Sequence, residues 1–183
     1  MASRLESLHL IETSCWHELE RAVREREHGW HALSLATVGD ERAEARLVVV
    51  REVLASDKAL RFYTDARSPK VRQLQAHPRG TLLGWHPRLG WQLRLRVHLS
   101  LETDAELVRG RWSQVMHWPS AQDYLAERAP GDRIDRPGSQ AGSRDHFTVV
   151  TAHVESMDWL ELHAEGHRRA VFCGPQDARW VVP

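Results

Sequence analysis

The sequence lacks the features that mark secreted, metal-bound and membrane proteins. Its two cysteines, Cys15 and Cys173, lie far apart and form no CxxC or Cys/His metal motif. No apolar run approaches about 18 residues, and the N-terminus has no cationic region followed by a long apolar stretch. We therefore expect reduced thiols, no metal site, no membrane contact and a cytoplasmic location.

The chain also lacks net charge, because 25 Lys and Arg residues balance 25 Asp and Glu residues. No overall field attracts it to nucleic acid or to anionic lipid, so we expect no nucleic-acid partner and only a local anion site. No glycine-rich dinucleotide loop follows a predicted strand, which excludes a Rossmann-type cofactor site. No Ser/His/Asp or Cys/His arrangement identifies a catalytic residue.

The hydrophobic pattern predicts one mainly β domain over residues 1–183. Apolar residues recur at helical spacing over residues 14–28, with Ser14 as the candidate N-cap. Six or seven short strand patterns follow, and the clearest is the alternating stretch Trp91 to Leu101. Residues 129–145 carry two prolines and three glycines and predict a long loop. Because helices fall only at the start and late in the chain, the pattern favours an antiparallel barrel with flanking helices.

Basic and polar residues gather at the predicted strand ends. They are Arg46, Arg51, Tyr63-Thr64, Arg67-Ser68-Pro69-Lys70 and Gln92-Leu93-Arg94. A phosphate needs two or three converging charge-assisted donors, and a strand-to-helix junction such as the one at Ser68 can supply them. Taken alone, that junction is better explained by Ser68 capping a helix, with Arg67 and Lys70 in solvent.

Taken in order along the chain, these motifs resemble those of the pyridoxamine 5′-phosphate oxidase family and its split-barrel relatives, which bind flavin mononucleotide (FMN). The matching pieces are Arg46 to Arg51, Phe62 to Thr64, Ser68 to Lys70, His77-Pro78, Trp85 and Gln92 to Arg94. The resemblance implies a six-stranded antiparallel Greek-key split β-barrel that binds FMN. It is closer to the uncharacterised FMN-binding branch than to the vitamin B6 oxidase.

The resemblance also implies roles for individual residues. It assigns the FMN phosphate to Arg46, Ser68 and Lys70. It assigns further flavin contacts to Leu47, Val48, Val49, Arg51, Tyr63, Thr64, Arg67, Gln92, Gln122, Trp159 and Arg169. Some of these contacts cross between subunits in the family. A homodimer with FMN at its interface is therefore expected.

The expected substrate site departs from the family pattern. Arg109, Ser113 and His167 fit the family's substrate site, and Arg51 replaces a Lys that meets both flavin and substrate. Pro69, Ala105 and Glu165 replace an Arg, a Tyr and a second Arg. An acid at the position of Glu165 would repel a substrate phosphate. Arg109, Ser113 and His167 are equally well explained as exposed helix and turn residues.

Three functional hypotheses follow. The leading one is an FMN-dependent oxidoreductase of unknown small-molecule substrate, with NADH or NADPH as candidate electron donor. The second is a flavin-binding protein that stores or senses the cofactor without turnover. The third is haem binding, because split-barrel relatives include haem proteins and His163 and His167 lie close together in the chain.

Overall fold

The computed structural model describes residues 4–136, 142, 144–174 and 176–183. Within them the α-helices are α1 (Leu8–Arg24), α2 (Pro69–Ala76) and α3 (Ala105–Val115). The strands are β1 (Ala32–Val38), β2 (Ala43–Val49), β3 (Glu52–Leu54), β4 (Ala59–Asp65), β5 (Arg79–His86), β6 (Trp91–Leu101), β7 (Phe147–Glu161), β8 (Arg168–Phe172) and β9 (Ala178–Val181). Short 3-10 turns lie at Ala55–Asp57, Pro119–Tyr124 and Arg144–His146. The predicted mainly β architecture with flanking helices is confirmed.

All nine strands belong to one antiparallel sheet. Seven of them run in the order β2-β1-β5-β6-β7-β4-β3, while β8 pairs with β7 and β9 pairs with β8. Within the described residues, no hydrogen-bonded pairing joins β2 to β3, so the sheet does not close. The expected six-stranded Greek-key barrel therefore stays a prediction.

The main core lies between one face of this sheet and α1. The alternation along β6 buries Leu93, Leu95 and Leu99 and turns the intervening polar residues outward, as predicted. The apolar stripe Ile11, Cys15 and Leu19 of α1 packs over them. Each fully buried leucine contributes about 1.5–3 kcal/mol, so this face anchors the fold.

Helix α1 lies about one turn closer to the N-terminus than the expected 14–28 helix. It starts after Ser7 and ends at Arg24, and Ser14 lies inside it rather than at its N-cap. Leu8 and Ile11 extend the apolar stripe backwards, which is why the helix begins earlier. Within the described residues, no helix combines the length and the apolar character needed to cross a membrane.

A smaller apolar cluster lies under α3 and contains aromatic side chains from several elements. Its members are Tyr63, Trp112, Val115, Ala121, Tyr124, Phe147 and Val149. The predicted loop 129–145 leads from this cluster to β7. Its residues 129–136, 142, 144 and 145 are described, and the others lie outside the described part of the chain. Both cysteines are free, Cys15 in the core and Cys173 at the surface.

Helix α1 is joined to the end of β5 by a polar contact between the half-buried Glu18 and the buried His28 and His86. Nε2 of His28 lies 2.9 Å from Oε2 of Glu18, and the His28 and His86 rings stack edge to face at 4.5 Å. Burial, followed by the neighbouring His28, lowers the pKa of His86. Burial opposes ionisation of Glu18, but hydrogen bonds from His28 and Arg21 outweigh it and lower the pKa of that carboxyl.

This contact predicts acid-sensitive stability. As the pH falls through about 6.5, the unfolded chain takes up a proton that the folded His86 resists, so the free energy of unfolding decreases. The matched variant is His86→Asn, which keeps an acceptor for the backbone N–H of Leu89 but does not titrate. Urea denaturation at pH 7.5 and 5.5 should show a larger decrease in the free energy of unfolding for the wild type than for the variant. Equal losses would refute the assignment to His86.

Candidate functional site

An open depression of about 460 Å³ lies between β2 and the start of α2. It is lined by Glu44, Ala45, Arg46, Ser68, Pro69, Lys70, Gln73, Pro130 and Gly131. The three residues expected to hold a phosphate, Arg46, Ser68 and Lys70, therefore share one cavity. We call this cavity the anion pocket.

The Arg46 side chain is held in place from two neighbouring elements. It lies opposite Leu35 of β1, on the inner face of β2, and its guanidinium donates to Thr37 Oγ1 and, at 2.8 Å, to Gln73 Oε1. Thr37 Oγ1 in turn donates to the same Gln73 oxygen at 2.7 Å. Because neutral groups hold the guanidinium, its charge is not cancelled.

Lys70 enters the pocket from the first turn of α2. Its Nζ donates to Thr64 Oγ1 at 2.9 Å, and Ser68 Oγ lies 3.5 Å from the same threonine oxygen. Ser68 is fully buried, and its side chain makes no capping hydrogen bond to α2. Ser68 thus occupies the N-cap position, as expected, but its side chain does not cap the helix. Its hydroxyl belongs to the polar group around Lys70.

The two basic groups of the pocket, Arg46 and Lys70, repel each other. Burial, followed by the nearby Arg46 charge, lowers the pKa of Lys70, while Asp65 acts weakly in the opposite sense. Burial also lowers the pKa of the Arg46 guanidinium, against the influence of Glu44. Two like charges in one partly buried cavity repel each other, so the arrangement favours an anion between them.

Ion pairing separates these cations from the rest of the chain. The structure describes the burial of most Lys and Arg side chains. All but three of the half-buried ones form an ion pair with a carboxylate. The exceptions are Arg46, Arg51 and Lys70. All three were expected to contact FMN.

Arg67 differs from its neighbours in the motif. Its guanidinium is paired with Asp65 at 2.7 Å and donates to backbone carbonyls of residues 126–128. Burial opposes ionisation of Asp65, but hydrogen bonds from Arg67 outweigh it and lower the pKa of this carboxyl. Arg67 therefore has its donors engaged within the protein.

Arg51 and Tyr63 lie in a second group, next to the aromatic cluster under α3. The Arg51 guanidinium lies 5.1 Å from the centre of the Trp118 ring and 3.5 Å from the Tyr124 hydroxyl, and its buried Nε has no partner among the described atoms. Tyr63 donates at 2.8 Å to Glu52, which also receives Arg111 at 2.7 Å. Burial and this hydrogen bond raise the pKa of Tyr63.

A third group lies on the outer face of the sheet, opposite the main core. Gln92 and Arg94 point to this face from β6, and Asp158 of β7 pairs with both Arg94 and Arg169. Trp159 points the other way and is fully buried in the core. Trp159 and Arg169 therefore lie on opposite faces of the sheet.

The remaining predicted flavin contacts are divided between the two faces of β2 and the turn after α3. Leu47 is exposed on the outer face, Val48 is buried, Val49 is half-buried, and Gln122 is exposed in the Pro119–Tyr124 turn. Thr64 belongs to the anion pocket, as described above. One chain thus presents the expected flavin residues on separate surfaces.

The expected substrate residues on α3 are exposed. Arg109 pairs with Glu106, and Ser113 Oγ donates to the Gly110 carbonyl at 2.8 Å. Their interpretation as ordinary helix-surface residues agrees with these contacts. Ala105 is exposed at the first position of α3.

The turn between β7 and β8 holds the other expected substrate residue, His167. His167 and His163 are exposed, and each accepts a backbone N–H through Nδ1. Glu165 lies 3.8 Å from Arg4. The two histidines thus lie at the surface, whereas a haem ligand has to point into a pocket.

Glu18, His28 and His86 are the described residues whose ligand atoms lie within 4.8 Å of one another, as a metal ion requires. Nδ1 of His28 accepts the N–H of Trp30, and Nδ1 of His86 accepts the N–H of Leu89. Each neutral ring therefore carries its proton on Nε2, and no lone pair is directed at the shared space. The absence of a metal site stays a prediction.

Several residues of these groups were missed from the sequence. Thr37 and Gln73 position Arg46, Glu52 and Arg111 hold Tyr63, and Asp65 holds Arg67. Thr37 could have been identified from the sequence, because it alternates in phase with the inward-facing Leu33 and Leu35 of β1 and yet is polar. The Glu52–Arg111 pair joins distant parts of the chain and left no signal in the spacing.

Comparison with known proteins adds independent information. A family model described as "Pyridoxamine 5'-phosphate oxidase, FMN-binding domain" matches residues 13–102. Pyridoxine/pyridoxamine 5′-phosphate oxidase of Anaeromyxobacter dehalogenans is 30% identical over 184 residues, covering 90% of this chain and 88% of that protein. The enzyme of that name from Thermosynechococcus vestitus is 40% identical over 142 residues, covering 66% and 65%.

A solved structure shares the fold. It is a pyridoxamine 5′-phosphate oxidase-related, FMN-binding protein of Nostoc punctiforme, with a TM-score of 0.72 and 23% identity. The match covers 93% of this chain and 96% of that one. At this identity the likeness describes the fold and leaves the ligand of this chain to be argued from its own residues.

Proposed function

The chain belongs to the pyridoxamine 5′-phosphate oxidase FMN-binding family, and from this premise we propose that it binds FMN through the anion pocket. The observation that carries the proposal is that no carboxylate among the described residues forms an ion pair with the half-buried Arg46 or Lys70. Apart from Arg51, the other half-buried Lys and Arg side chains that the structure describes are each paired with a carboxylate. A phosphate between Arg46 and Lys70 would supply the missing negative charge.

The chemistry of the pocket suits a phosphate monoester. Arg46 offers a planar guanidinium, Lys70 an ammonium and Ser68 a hydroxyl, which are the donors that phosphate groups attract. The carboxylate on the rim, Glu44, has its own partner in Arg42 at 3.7 Å. The pocket therefore keeps a positive balance.

Loss of either cation should weaken FMN binding. Arg46→Ala and Lys70→Ala each remove a charge-assisted contact worth about 1.5–3 kcal/mol, equivalent to about a 10- to 150-fold rise in Kd. The control is Arg72→Ala, which removes an exposed arginine of the same helix. Fluorescence titration of the ligand-free protein with FMN measures the change. Equal affinity in the wild type and both pocket variants would sink the phosphate site.

We propose an oxidoreductase activity as the use of this site. Bound FMN supplies hydride or electron transfer, and the protein supplies position and the polarity around the ring. Arg51, stacked on Trp118 and without an ion pair, is the proposed contact to the flavin ring and to an anionic group of the substrate. Its guanidinium also lies 3.5 Å from the Tyr124 hydroxyl, so it is held beside the aromatic cluster under α3.

The substrate is proposed to differ from the B6 phosphates. Arg109 is exposed and already paired with Glu106, and Glu165 stands where a cation would be needed. A substrate phosphate at these positions would meet a neutralised arginine and a carboxylate. The same observations also suit a flavin-binding protein without turnover, so redox chemistry has to be measured directly.

Anaerobic reduction separates these alternatives. We expect NADPH or NADH to bleach the flavin absorbance of the FMN-loaded protein, and we expect pyridoxamine 5′-phosphate to leave it unchanged. Free FMN with the same nucleotide is the control for non-enzymatic reduction. Flavin that no nicotinamide nucleotide reduces would support storage or sensing instead. Saturable bleaching by pyridoxamine 5′-phosphate would contradict the proposed loss of the B6 site.

A homodimer with FMN at its interface is part of the same proposal, as is the six-stranded split barrel. Leu47, Leu83 and Trp85 lie on the outer face of the sheet, and their exposed fractions are 72%, 40% and 45%. These apolar side chains flank Gln92 and the charged group around Asp158. A second copy covering this face would bury the apolar patch and bring its polar group toward the flavin.

The dimer proposal predicts a linked loss of assembly and of cofactor. Leu47→Glu should shift the protein toward monomer in sedimentation velocity and should raise the Kd for FMN, because a buried carboxylate opposes the interface. Leu10→Glu is the matched control, since Leu10 is half-exposed on α1, on the other side of the sheet. A wild type that sediments as a monomer at micromolar concentration with FMN bound would overturn the proposal.

A further inference from the structure

One arginine holds a separate segment of the chain against the anion pocket. The Arg67 guanidinium donates to the carbonyls of Ala126 at 2.7 Å, Glu127 at 2.8 Å and Arg128 at 3.3 Å. Two further bonds, at 3.1 and 2.7 Å, join it to the buried carboxylate of Asp65. A rigid planar group thus connects the end of β4 to three successive peptide units.

The segment held in this way continues directly into the pocket wall. Pro130 and Gly131 line the anion pocket, and a Cβ added to Gly131 would lie 3.7 Å from Pro69 Cγ. Gly131 has φ +97°, which other residues rarely adopt, so glycine is suited to this close turn. The turn is closed by Asp132, whose carboxylate accepts the Ala129 N–H at 3.1 Å.

The three bonds from Arg67 are long-range contacts between this stretch and the end of β4. Arg128 also donates to the Arg133 carbonyl at 2.9 Å, within the same stretch. Neighbouring side chains in the stretch are mostly exposed. Arg67 therefore attaches the stretch that carries Pro130 and Gly131 to the end of β4.

We propose that Arg67 is a positioning residue, which holds residues 126–131 as one wall of the anion pocket and so slows release of the bound phosphate group. This inference rests on the proposed FMN site. It replaces the expectation that Arg67 contacts the cofactor itself, because the guanidinium donors are engaged by Asp65 and by three carbonyls.

The two roles predict different behaviour of a charge-conserving variant. If Arg67 touched the phosphate directly, Arg67→Lys would keep the cation and most of the affinity. In the positioning role the lysine can still pair with Asp65, but one ammonium cannot replace a guanidinium fork across three carbonyls. Arg67→Lys and Arg67→Ala should then behave alike.

The first measurement needs no cofactor. Trypsin can cut after Arg128 and Arg133 when the segment is released, so limited digestion of ligand-free protein reports its attachment. We expect both Arg67 variants to be cut there at least several-fold faster than the wild type and the Arg72→Ala control. Thermal denaturation of each variant confirms that the fold is retained. Cleavage at the wild-type rate in a folded Arg67 variant would overturn the attachment.

The second measurement tests the consequence for the ligand. The FMN dissociation rate, followed by recovery of flavin fluorescence on dilution, should rise about tenfold in both variants, because a released wall weakens the hold on the phosphate by roughly the worth of one charge-assisted hydrogen bond. A wild-type rate in Arg67→Lys would overturn the positioning role. A wild type that takes up no FMN would refute the proposed function, while the digestion result would still decide the attachment.

Discussion

The repulsion between Arg46 and Lys70 is the constraint on which the site depends. Arg46 and Lys70 face one cavity and form no ion pair with a described carboxylate, although Glu44 lies on the rim, so they destabilise the folded chain, and burial increases the effect. The structure tolerates this because neutral oxygens of Thr37, Gln73 and Thr64 hold the two side chains apart and in place. Such preorganisation at a cost in stability is typical of ligand sites.

The rest of the chain shows the opposite treatment of charge. Glu52 pairs with Arg61 and Arg111 and accepts a hydrogen bond from the Tyr63 hydroxyl. Asp158 pairs with two arginines of the outer face. Glu161 pairs with Arg4 and Arg168. Each of these carboxylates has a pKa lowered by its arginine hydrogen bonds, which outweigh burial. Structural arginines therefore have an acid within reach. Among the described residues, Arg46, Arg51 and Lys70 have none, which supports the proposal that they face a ligand.

The sequence allowed prediction of local structure and of the pocket more readily than of the surrounding contacts. The alternation in β6 and the strand-to-helix step at Ser68 are local patterns, and the structure has both. The roles of Arg67 and Trp159 were not predictable in this way. Arg67 is engaged by carbonyls about 60 residues away, and the parity of Trp159 depends on how β7 pairs with β6 and β8. Helix α1 was misplaced because its apolar stripe begins before the residues that looked most regular.

The separation of the expected flavin residues has a physical consequence for assembly. The anion pocket opens on the inner side of β2, whereas Gln92 and Arg169 lie on the outer face of the sheet, across β1, β5 and β6. Successive side chains of a strand point to opposite faces of the sheet. A single planar ring therefore cannot lie against both the anion pocket and the outer-face residues of one chain. If all of these residues touch one flavin, the outer-face group has to come from a second copy. The exposed Leu47 and Trp85 supply the apolar surface on which that copy would pack.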